Sequence, residues 1–162
     1  CVSKLSDMTE NTAFRRVIRD PNTNLKDDDI KKVVICSGKV FYNLLEEREN
    51  RKLDSVKILR LEQIYPFPYS TLKEILSDTP NAEFVWCQEE PKNMGAWFFV
   101  DRKIEDVLRS FKAKFSRPSY AGRAEAASPA TGSLSRHNKE QADLVNEALE
   151  TTTKKTTKHA AE

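Results

Sequence analysis

The sequence predicts an α/β domain of three layers, in which a mostly parallel sheet is flanked by helices on both faces. Three consecutive segments each have the pattern of a strand, a turn and a helix. This alternation is typical of parallel strands joined by right-handed helical crossovers. The chain has 162 residues, which suits one ordinary domain with its own core. An extended C-terminal arm and a final helix are predicted to follow the alternating part.

The charge balance and the apolar pattern exclude two classes of partner. The chain carries 27 Lys and Arg residues against 25 Asp and Glu residues, a net charge of +2. So small and evenly mixed a balance disfavours a nucleic-acid-binding surface. No apolar run approaches the roughly 18 residues needed to cross a membrane. We therefore expect no nucleic-acid partner and no membrane span.

The first 29 residues show little periodicity and are predicted to be a linker from a preceding domain. Within them, the stretch "AFRRVIRD" is interpreted as either a short strand or part of that linker. The chain begins with Cys1 rather than Met, and its first residues resemble the interior of a longer sequence. We therefore expect a fragment, with its main domain over residues 30–150.

The first strand-turn-helix segment is "KKVVICSGKVFYNLLEEREN". Its β-branched run at 33–36 predicts a strand, and Ser37 and Gly38 predict a tight turn. Apolar side chains then recur at helical spacing. These are Val40, Phe41, Leu44 and Leu45.

The pattern returns twice more. Residues 56–61 predict a strand, Pro66 and Pro68 a turn, and the next residues a helix whose apolar positions are Leu72, Ile75 and Leu76. The third segment predicts a strand at 84–87, a turn at Glu-Glu-Pro and a helix from about residue 95 to about residue 111.

After Lys112 the composition changes to Ser, Pro, Ala and Gly, which predicts an extended arm with a short strand near Tyr120. A final amphipathic helix should follow, with Ser135 as a candidate N-cap. Its apolar face would consist of Leu144, Val145, Ala148 and Leu149. The polar, threonine- and lysine-rich residues 151–162 are predicted to be disordered.

Any ligand site is expected where the carboxyl ends of the parallel strands meet, since backbone donors and helix N-termini gather there. Ser37, Gly38 and Lys39 form one such turn, which could hold an anion. The glycine of a Walker loop is missing upstream of the Gly-Lys pair. A plain strand-to-helix turn with Lys39 in solvent is therefore the competing interpretation.

The stretch "FVWCQEEPKNMGAWFFV" places two acids beyond a buried strand. Neighbouring residues of an extended chain point apart, so Glu89 and Glu90 are not expected to form a catalytic carboxylate pair. One of them is instead predicted to cap the next helix or to pair with an arginine. Three successive aromatic residues, Trp97, Phe98 and Phe99, cannot all face one core, so at least one should meet another surface.

The remaining reactive side chains give little sign of catalysis. Cys36 and Cys87 each end an apolar run, which favours small buried thiols over nucleophiles. The three cysteines lack the spacing and the histidines of a zinc site. His137 falls in a polar first turn of the last helix, where a catalytic role is not expected.

Four ordered motifs resemble one family. They are "CSGKVFYNLLEER", "RLEQIYPFP", "VWCQEEPKNMGAW" and "YAGRAEAASPATGSLSRHNKEQADLVNEAL". Together they are similar to the carboxy-terminal domain of the thiamine-diphosphate-dependent first component of 2-oxoglutarate dehydrogenase complexes. The resemblance covers nearly the whole chain except the tail. The chain differs from the usual family pattern at Glu125, where relatives keep a small or neutral residue.

The resemblance implies a transketolase-like C-terminal domain behind two larger domains of a homodimeric enzyme. Those absent domains would bind thiamine diphosphate and Mg, decarboxylate 2-oxoglutarate and pass the succinyl group to a lipoyl arm of the dihydrolipoyl succinyltransferase component. Related 2-oxoadipate and pyruvate dehydrogenases share this chemistry. The location would be the cytoplasm of a bacterium or the mitochondrial matrix. No catalytic residue and no cofactor is expected within the chain itself, which should be inactive alone.

Two sets of residues are assigned candidate roles. The domain-interface candidates are Gln88, Glu89, Glu90, Trp97, Tyr120 and Arg123. By analogy with actinobacterial relatives that bind acetyl-CoA, the effector candidates for acetyl-CoA or AMP are Ser37, Gly38, Lys39 and Arg60. The first alternative to a dehydrogenase fragment is a stand-alone regulatory module that binds an acyl-CoA or a nucleotide. The second is a purely structural dimerisation domain.

Overall fold

A computed structural model describes residues 5–151. Its five strands lie in one sheet, in the order β1-β3-β2-β4-β5. The strands are β1 (Val17–Ile18), β2 (Lys32–Cys36), β3 (Val56–Leu61), β4 (Glu83–Pro91) and β5 (Ser119–Arg123). The short β1 pairs antiparallel with β3, while the other strand pairs are parallel. The predicted α/β class and the mostly parallel sheet are confirmed.

Four α-helices cover the two faces of the sheet. They are α1 (Val40–Arg51), α2 (Tyr69–Leu76), α3 (Trp97–Ser110) and α4 (Leu134–Leu149), and short 3-10 helices span Leu5–Met8 and Asp27–Asp29. One core cluster unites the sheet with α2 and α3, and the other unites it with α1 and α4. The predicted three layers are therefore present.

Strand β2 explains why the core has two halves. Alternate side chains of a strand point to opposite faces, so Val33 and Ile35 join the α2–α3 cluster while Val34 and Cys36 join the α1–α4 cluster. All five β2 residues are buried, as expected of a central parallel strand covered on both faces. The apolar run of this segment thus builds both cores at once.

The stretch "AFRRVIRD" left a strand and a linker as alternatives, and the strand is present as β1. Its register pairs Val17 with Leu61. Asp20, two residues after the end of β1, forms a buried ion pair with Arg48 of α1. It also accepts a hydrogen bond from the Ile58 N–H at 2.6 Å. Part of the predicted linker therefore adds an edge to the sheet and an ionic contact to the core.

Two element boundaries differ from the sequence predictions. Strand β4 continues through the Glu89-Glu90-Pro91 stretch, which was predicted to be a turn. Helix α4 is preceded by Ser133 in an extended conformation, so the predicted N-cap Ser135 lies inside the helix. The apolar face predicted for α4 is buried as expected. The disorder predicted for residues 151–162 falls, apart from residue 151, outside the described residues.

Candidate functional site at the carboxyl edge of the sheet

The carboxyl ends of the parallel strands surround a cleft of about 470 Å³. The predicted turn from Ser37 to Lys39 lines one side, and Gln88, Glu89 and Glu90 line the other. Gly38 has a φ of 74°, a conformation that favours glycine, and it begins the sharp turn into α1. The Ser37–Lys39 turn and the end of β4 therefore share one cavity.

Gln88 is the organising residue of this edge. Its side chain is buried, at 2% exposure. Its Oε1 atom accepts hydrogen bonds from the Trp86 indole N–H at 2.9 Å and from the Trp97 backbone N–H at 3.1 Å. Because both partners are donors only, they fix which end of the amide is oxygen. Gln88 thereby joins strand β4 to the first free N–H of α3.

The nitrogen end of the same amide closes the connection between β4 and α3. Gln88 Nε2 lies 3.3, 3.2 and 2.8 Å from the carbonyl oxygens of Glu90, Pro91 and Met94. Buried polar groups are costly unless they are hydrogen-bonded, and here one side chain satisfies several of them. The sequence analysis placed Gln88 among interface candidates and did not identify this internal role.

Two glycines leave room for Gln88. Gly95 has a φ of 66°, and a Cβ atom there would lie 2.8 Å from Gln88 Nε2. A Cβ atom on Gly122 would lie 2.9 Å from the backbone oxygen of Gln88 and closer still to the Tyr120 hydroxyl. The backbone of the edge is thus packed directly against the Gln88 residue.

The two acids have separate environments, as expected from their adjacency. Glu89 Oε1 lies 3.7 Å from Lys39 Nζ and accepts a hydrogen bond from Gln141 Nε2 at 3.0 Å. The Glu90 side chain is exposed. The prediction that one acid caps the next helix or pairs with an arginine is wrong, because Gln88 accepts the Trp97 N–H and the cation beside Glu89 is Lys39. The acids lie in strand β4, before the helix, which explains the difference.

Trp97 belongs to this domain's own core, at 7% exposure. Its ring centroid lies 5.2 Å from that of Tyr120 in the C-terminal arm. The Tyr120 hydroxyl lies within hydrogen-bonding distance of the carbonyl oxygens of Glu90 and Arg123, at 3.2 and 3.1 Å, and can donate its single proton to either. Burial raises the pKa of Tyr120 to about 12. The arm therefore provides part of the pocket that Trp97 fills.

Arg123 connects the arm to the last helix. One guanidinium nitrogen lies 3.1 Å from His137 Nδ1 and 3.3 Å from Gln141 Oε1, and Nε lies 3.5 Å from Glu140. His137 thus contacts a part-buried arginine. Gln141, which the sequence analysis did not single out, contacts both Arg123 and Glu89.

Arg60 is separate from the cleft that the other effector candidates line. It lies on β3, and its guanidinium carbon sits 4.8 Å and 5.3 Å from the ring centroids of Phe41 and Tyr42. Its Nε is 2.7 Å from a carboxylate oxygen of Glu62. The effector candidates therefore lie in two places. Ser37, Gly38 and Lys39 line the cleft, whereas Arg60 lies outside it and is held by aromatic and acidic neighbours.

The two described cysteines match the expectation of buried thiols. Cys36 and Cys87 are fully buried in the α1–α4 cluster. Burial raises the pKa of the Cys36 thiol well above its usual range, and it raises the pKa of Cys87 to about 12. Since the thiolate is the nucleophilic form, both side chains are structural at neutral pH.

Within residues 5–151, no three His, Cys, Asp or Glu side chains are grouped as metal ligands would be. In the same part of the chain, every helix falls short of the length and apolar character of a membrane span.

The four motifs and the fold can be compared with known proteins. The family model described as 2-oxoglutarate dehydrogenase C-terminal matches residues 2–149. The chain belongs to this family. The 2-oxoglutarate dehydrogenase E1 component of Brucella anthropi is 49% identical over an alignment of 156 residues, and the match covers 91% of this chain and 16% of that protein. The corresponding proteins of Brucella ovis and Brucella canis are 48% identical over the same shares.

Family membership confirms the resemblance seen in the motifs. The chain corresponds to the C-terminal domain of a 2-oxoglutarate dehydrogenase E1 component, and a stand-alone regulatory module is not supported. The chain spans only 16% of the length of these curated relatives.

Among solved structures, a split-gene transketolase described as an inactive beta4 tetramer has a TM-score of 0.47 and 10% identity, covering 87% of this chain and 44% of that one.

Proposed function

We propose that this chain is the C-terminal part of an enzyme that decarboxylates 2-oxoglutarate and transfers the succinyl group to a lipoyl arm in the tricarboxylic acid cycle. The observation that carries the proposal is the 49% identity to a 2-oxoglutarate dehydrogenase E1 component across 91% of the chain. Identity at this level across most of the chain supports a shared role as well as a shared fold.

The contribution of this domain is structural support at the carboxyl edge of its sheet. Gln88 holds β4 and α3 together, while Trp97 and Tyr120 fasten the arm to the same place. A preorganised edge of this kind can present a rigid surface to neighbouring domains without being reshaped by them. Domain-interface roles for Gln88, Glu89, Glu90, Trp97, Tyr120 and Arg123 stay predictions. The buried members would act indirectly, by shaping the surface.

Thiamine diphosphate and Mg are proposed as cofactors of the longer protein. Mg²⁺ bound with a diphosphate needs only one or two carboxylates, because water and phosphate oxygens supply its other ligands. No three His, Cys, Asp or Glu side chains are grouped within residues 5–151, and no chemical step is assigned to these residues. We expect the 162-residue chain to be inactive by itself.

The proposed partners follow from the same family role. They are the preceding domains of the longer protein, a second copy in a homodimer, and the dihydrolipoyl succinyltransferase component. The proposed location is the cytoplasm of a bacterium, or the mitochondrial matrix if the source is eukaryotic.

Effector binding at the Ser37–Lys39 turn is a subordinate proposal. The turn opens into the 470 Å³ cleft and Lys39 is exposed, although Glu89 lies 3.7 Å from its ammonium group. Arg60 would have to act from outside the cleft. Titration of acetyl-CoA and AMP into the longer protein, with Lys39→Met beside it, tests this proposal. Equal binding by both proteins would contradict it.

The enzymatic proposal is tested on the longer protein supplied with thiamine diphosphate and Mg. The expected result is release of CO₂ from 2-oxoglutarate in preference to pyruvate and 2-oxoadipate, and succinylation of an added lipoyl domain. Release of CO₂ from pyruvate alone, or from none of the three acids, would contradict it. The isolated 162-residue chain is the matched negative control.

A further inference from the structure

We propose that an exposed aromatic patch, formed by Tyr65, Phe98 and Phe99, is the surface on which the preceding part of the longer protein packs. This inference rests on the proposed function, because it requires the chain to be one region of a larger enzyme. It identifies a specific surface, which differs from the interface candidates named by the sequence motifs.

The patch is unusually open for aromatic side chains. Tyr65 is 80% exposed, Phe98 is 62% exposed and Phe99 is 39% exposed. By contrast, the neighbouring Trp97 is buried within the domain. Single exposed apolar residues are ordinary, whereas grouped ones mark interaction surfaces, and aromatic residues are enriched at the centres of interfaces.

Side chains of the patch contact one another. The rings of Tyr65 and Phe99 meet edge to face with centroids 6.4 Å apart, and Lys103 Nζ lies 4.9 Å from the Phe99 centroid. Phe98 is adjacent to Phe99 in the first turn of α3. Phe99 also lines the carboxyl-edge cleft. The Tyr65 and Phe99 rings therefore lie beside the edge that Gln88 organises, with Phe98 next to Phe99 along the helix, and docking there would order few additional side chains.

The course of the chain indicates what covers the patch. Strand β1 runs antiparallel to β3, so the residues before Val17 lie at the carboxyl edge of the sheet. The carbonyl oxygen of Arg16 accepts hydrogen bonds from the N–H groups of Glu62 and Gln63, at 2.9 and 3.1 Å. Tyr65 follows only two residues later. The preceding part of the polypeptide thus arrives beside the patch.

The approaching segment has the same apolar character. Leu5, Met8 and Phe14 all lie largely exposed ahead of β1. The relatives are much longer than this chain, which covers 16% of their length, and the matched family is described as C-terminal. Their remaining length therefore precedes this region. The part of the longer protein that precedes this domain is the occupant to which these observations point.

The first experiment is hydroxyl-radical footprinting of the longer protein. If the patch is covered, Tyr65 and Phe98 will be oxidised as slowly as the buried Trp86 ring. Phe115, which is exposed to the same extent as Phe99 and lies beside Asn81 and Glu83 at the opposite edge of the sheet, is the reference for an open ring. Oxidation of Tyr65 and Phe98 at least as fast as that of Phe115 would overturn the proposal.

The second experiment identifies the occupant. A photo-cross-linking amino acid replaces Phe98, whose exposed side chain can change without disturbing the core, and cross-linked peptides are sequenced. Cross-links to residues that precede this region support the proposal. Cross-links to the same region of a second copy, or a failure to cross-link, would overturn it.

These readouts do not depend on catalysis. If the longer protein shows a protected patch and upstream cross-links but does not act on 2-oxoglutarate, the docking inference stands and the proposed function fails. If it is an active 2-oxoglutarate dehydrogenase whose patch is oxidised freely, the docking inference fails alone.

Discussion

The backbone N–H of Trp97 donates a hydrogen bond to Oε1 of Gln88 at 3.1 Å, so a strand side chain serves the first turn of the helix that follows it. This contact fixes α3 relative to the sheet. It also places Trp97 in the core and leaves Phe98 and Phe99 facing outward, which is the arrangement on which the proposed docking surface depends.

Replacing Gln88 by Leu should destabilise the domain strongly. The change leaves the Trp86 indole N–H, the Trp97 N–H and several carbonyl groups without their partner, and each unpaired buried group costs about 1–3 kcal/mol. We expect a loss of roughly 3 kcal/mol in the free energy of unfolding, measured by urea denaturation. Gln63→Leu, which removes one exposed hydrogen bond, should lose less than about 1 kcal/mol. Equal losses would contradict the role assigned to Gln88.

Replacing Gly95 by Ala should be costly for two reasons. The positive φ disfavours a residue with a Cβ atom, by about 1–2 kcal/mol, and the new methyl group would lie 2.8 Å from Gln88 Nε2. Gly132→Ala is the control, since its Cβ atom would meet nothing within 4 Å. The expected result is a clearly lower melting temperature for the first variant and an almost unchanged one for the second. A tolerated Gly95→Ala variant would show that Gln88 can move.

Because the ion pair between Asp20 and Arg48 is buried, breaking it should lower the stability more than breaking an exposed ion pair. Both side chains are only 3% exposed, and removing one partner of a buried pair costs about 3–5 kcal/mol because the other charge stays buried. Arg48→Met should therefore unfold at much lower urea concentration than the wild type. Arg19→Met breaks an exposed pair with Glu74 and should change stability by less than about 1 kcal/mol. Similar effects of the two changes would be evidence against a buried pair.

The raised pKa values of Cys36 and Cys87 predict slow alkylation. Cys87 has a pKa of about 12, so little thiolate is present at pH 8, and burial also hinders access. In a Cys1→Ser background, iodoacetamide should modify the folded protein at least about a hundredfold more slowly than the urea-unfolded protein. Mass spectrometry follows the reaction. Comparable rates in the two states would show that the thiols are accessible and ionised.

Elements whose position depends only on their own residues could be predicted from the sequence. Strand β3 was predicted at its observed bounds, because a β-branched and apolar run is bounded by turn-forming residues. The apolar face of α4 was predicted because its spacing depends only on the helical period. The α/β class followed from the alternation of such elements.

Features set by long-range contacts could not be predicted. Strand β4 extends through Pro91 because it pairs with β5 across an irregular register, whereas proline by itself indicates a strand end. The role of Gln88 depends on Trp86, Met94 and Trp97 converging on one amide, which spacing along the chain does not reveal. The available signal in the sequence was a glutamine at the end of an apolar run, with a tryptophan on either side of it along the chain.

The most direct test of the central claim is the intact mass of the native protein that carries this sequence, captured from its source cells with an antibody raised against the 162-residue chain. The account predicts a polypeptide several times heavier than 18.6 kDa that releases CO₂ from 2-oxoglutarate in the presence of thiamine diphosphate. A native polypeptide of about 18.6 kDa, with no such activity in the captured material, would contradict it.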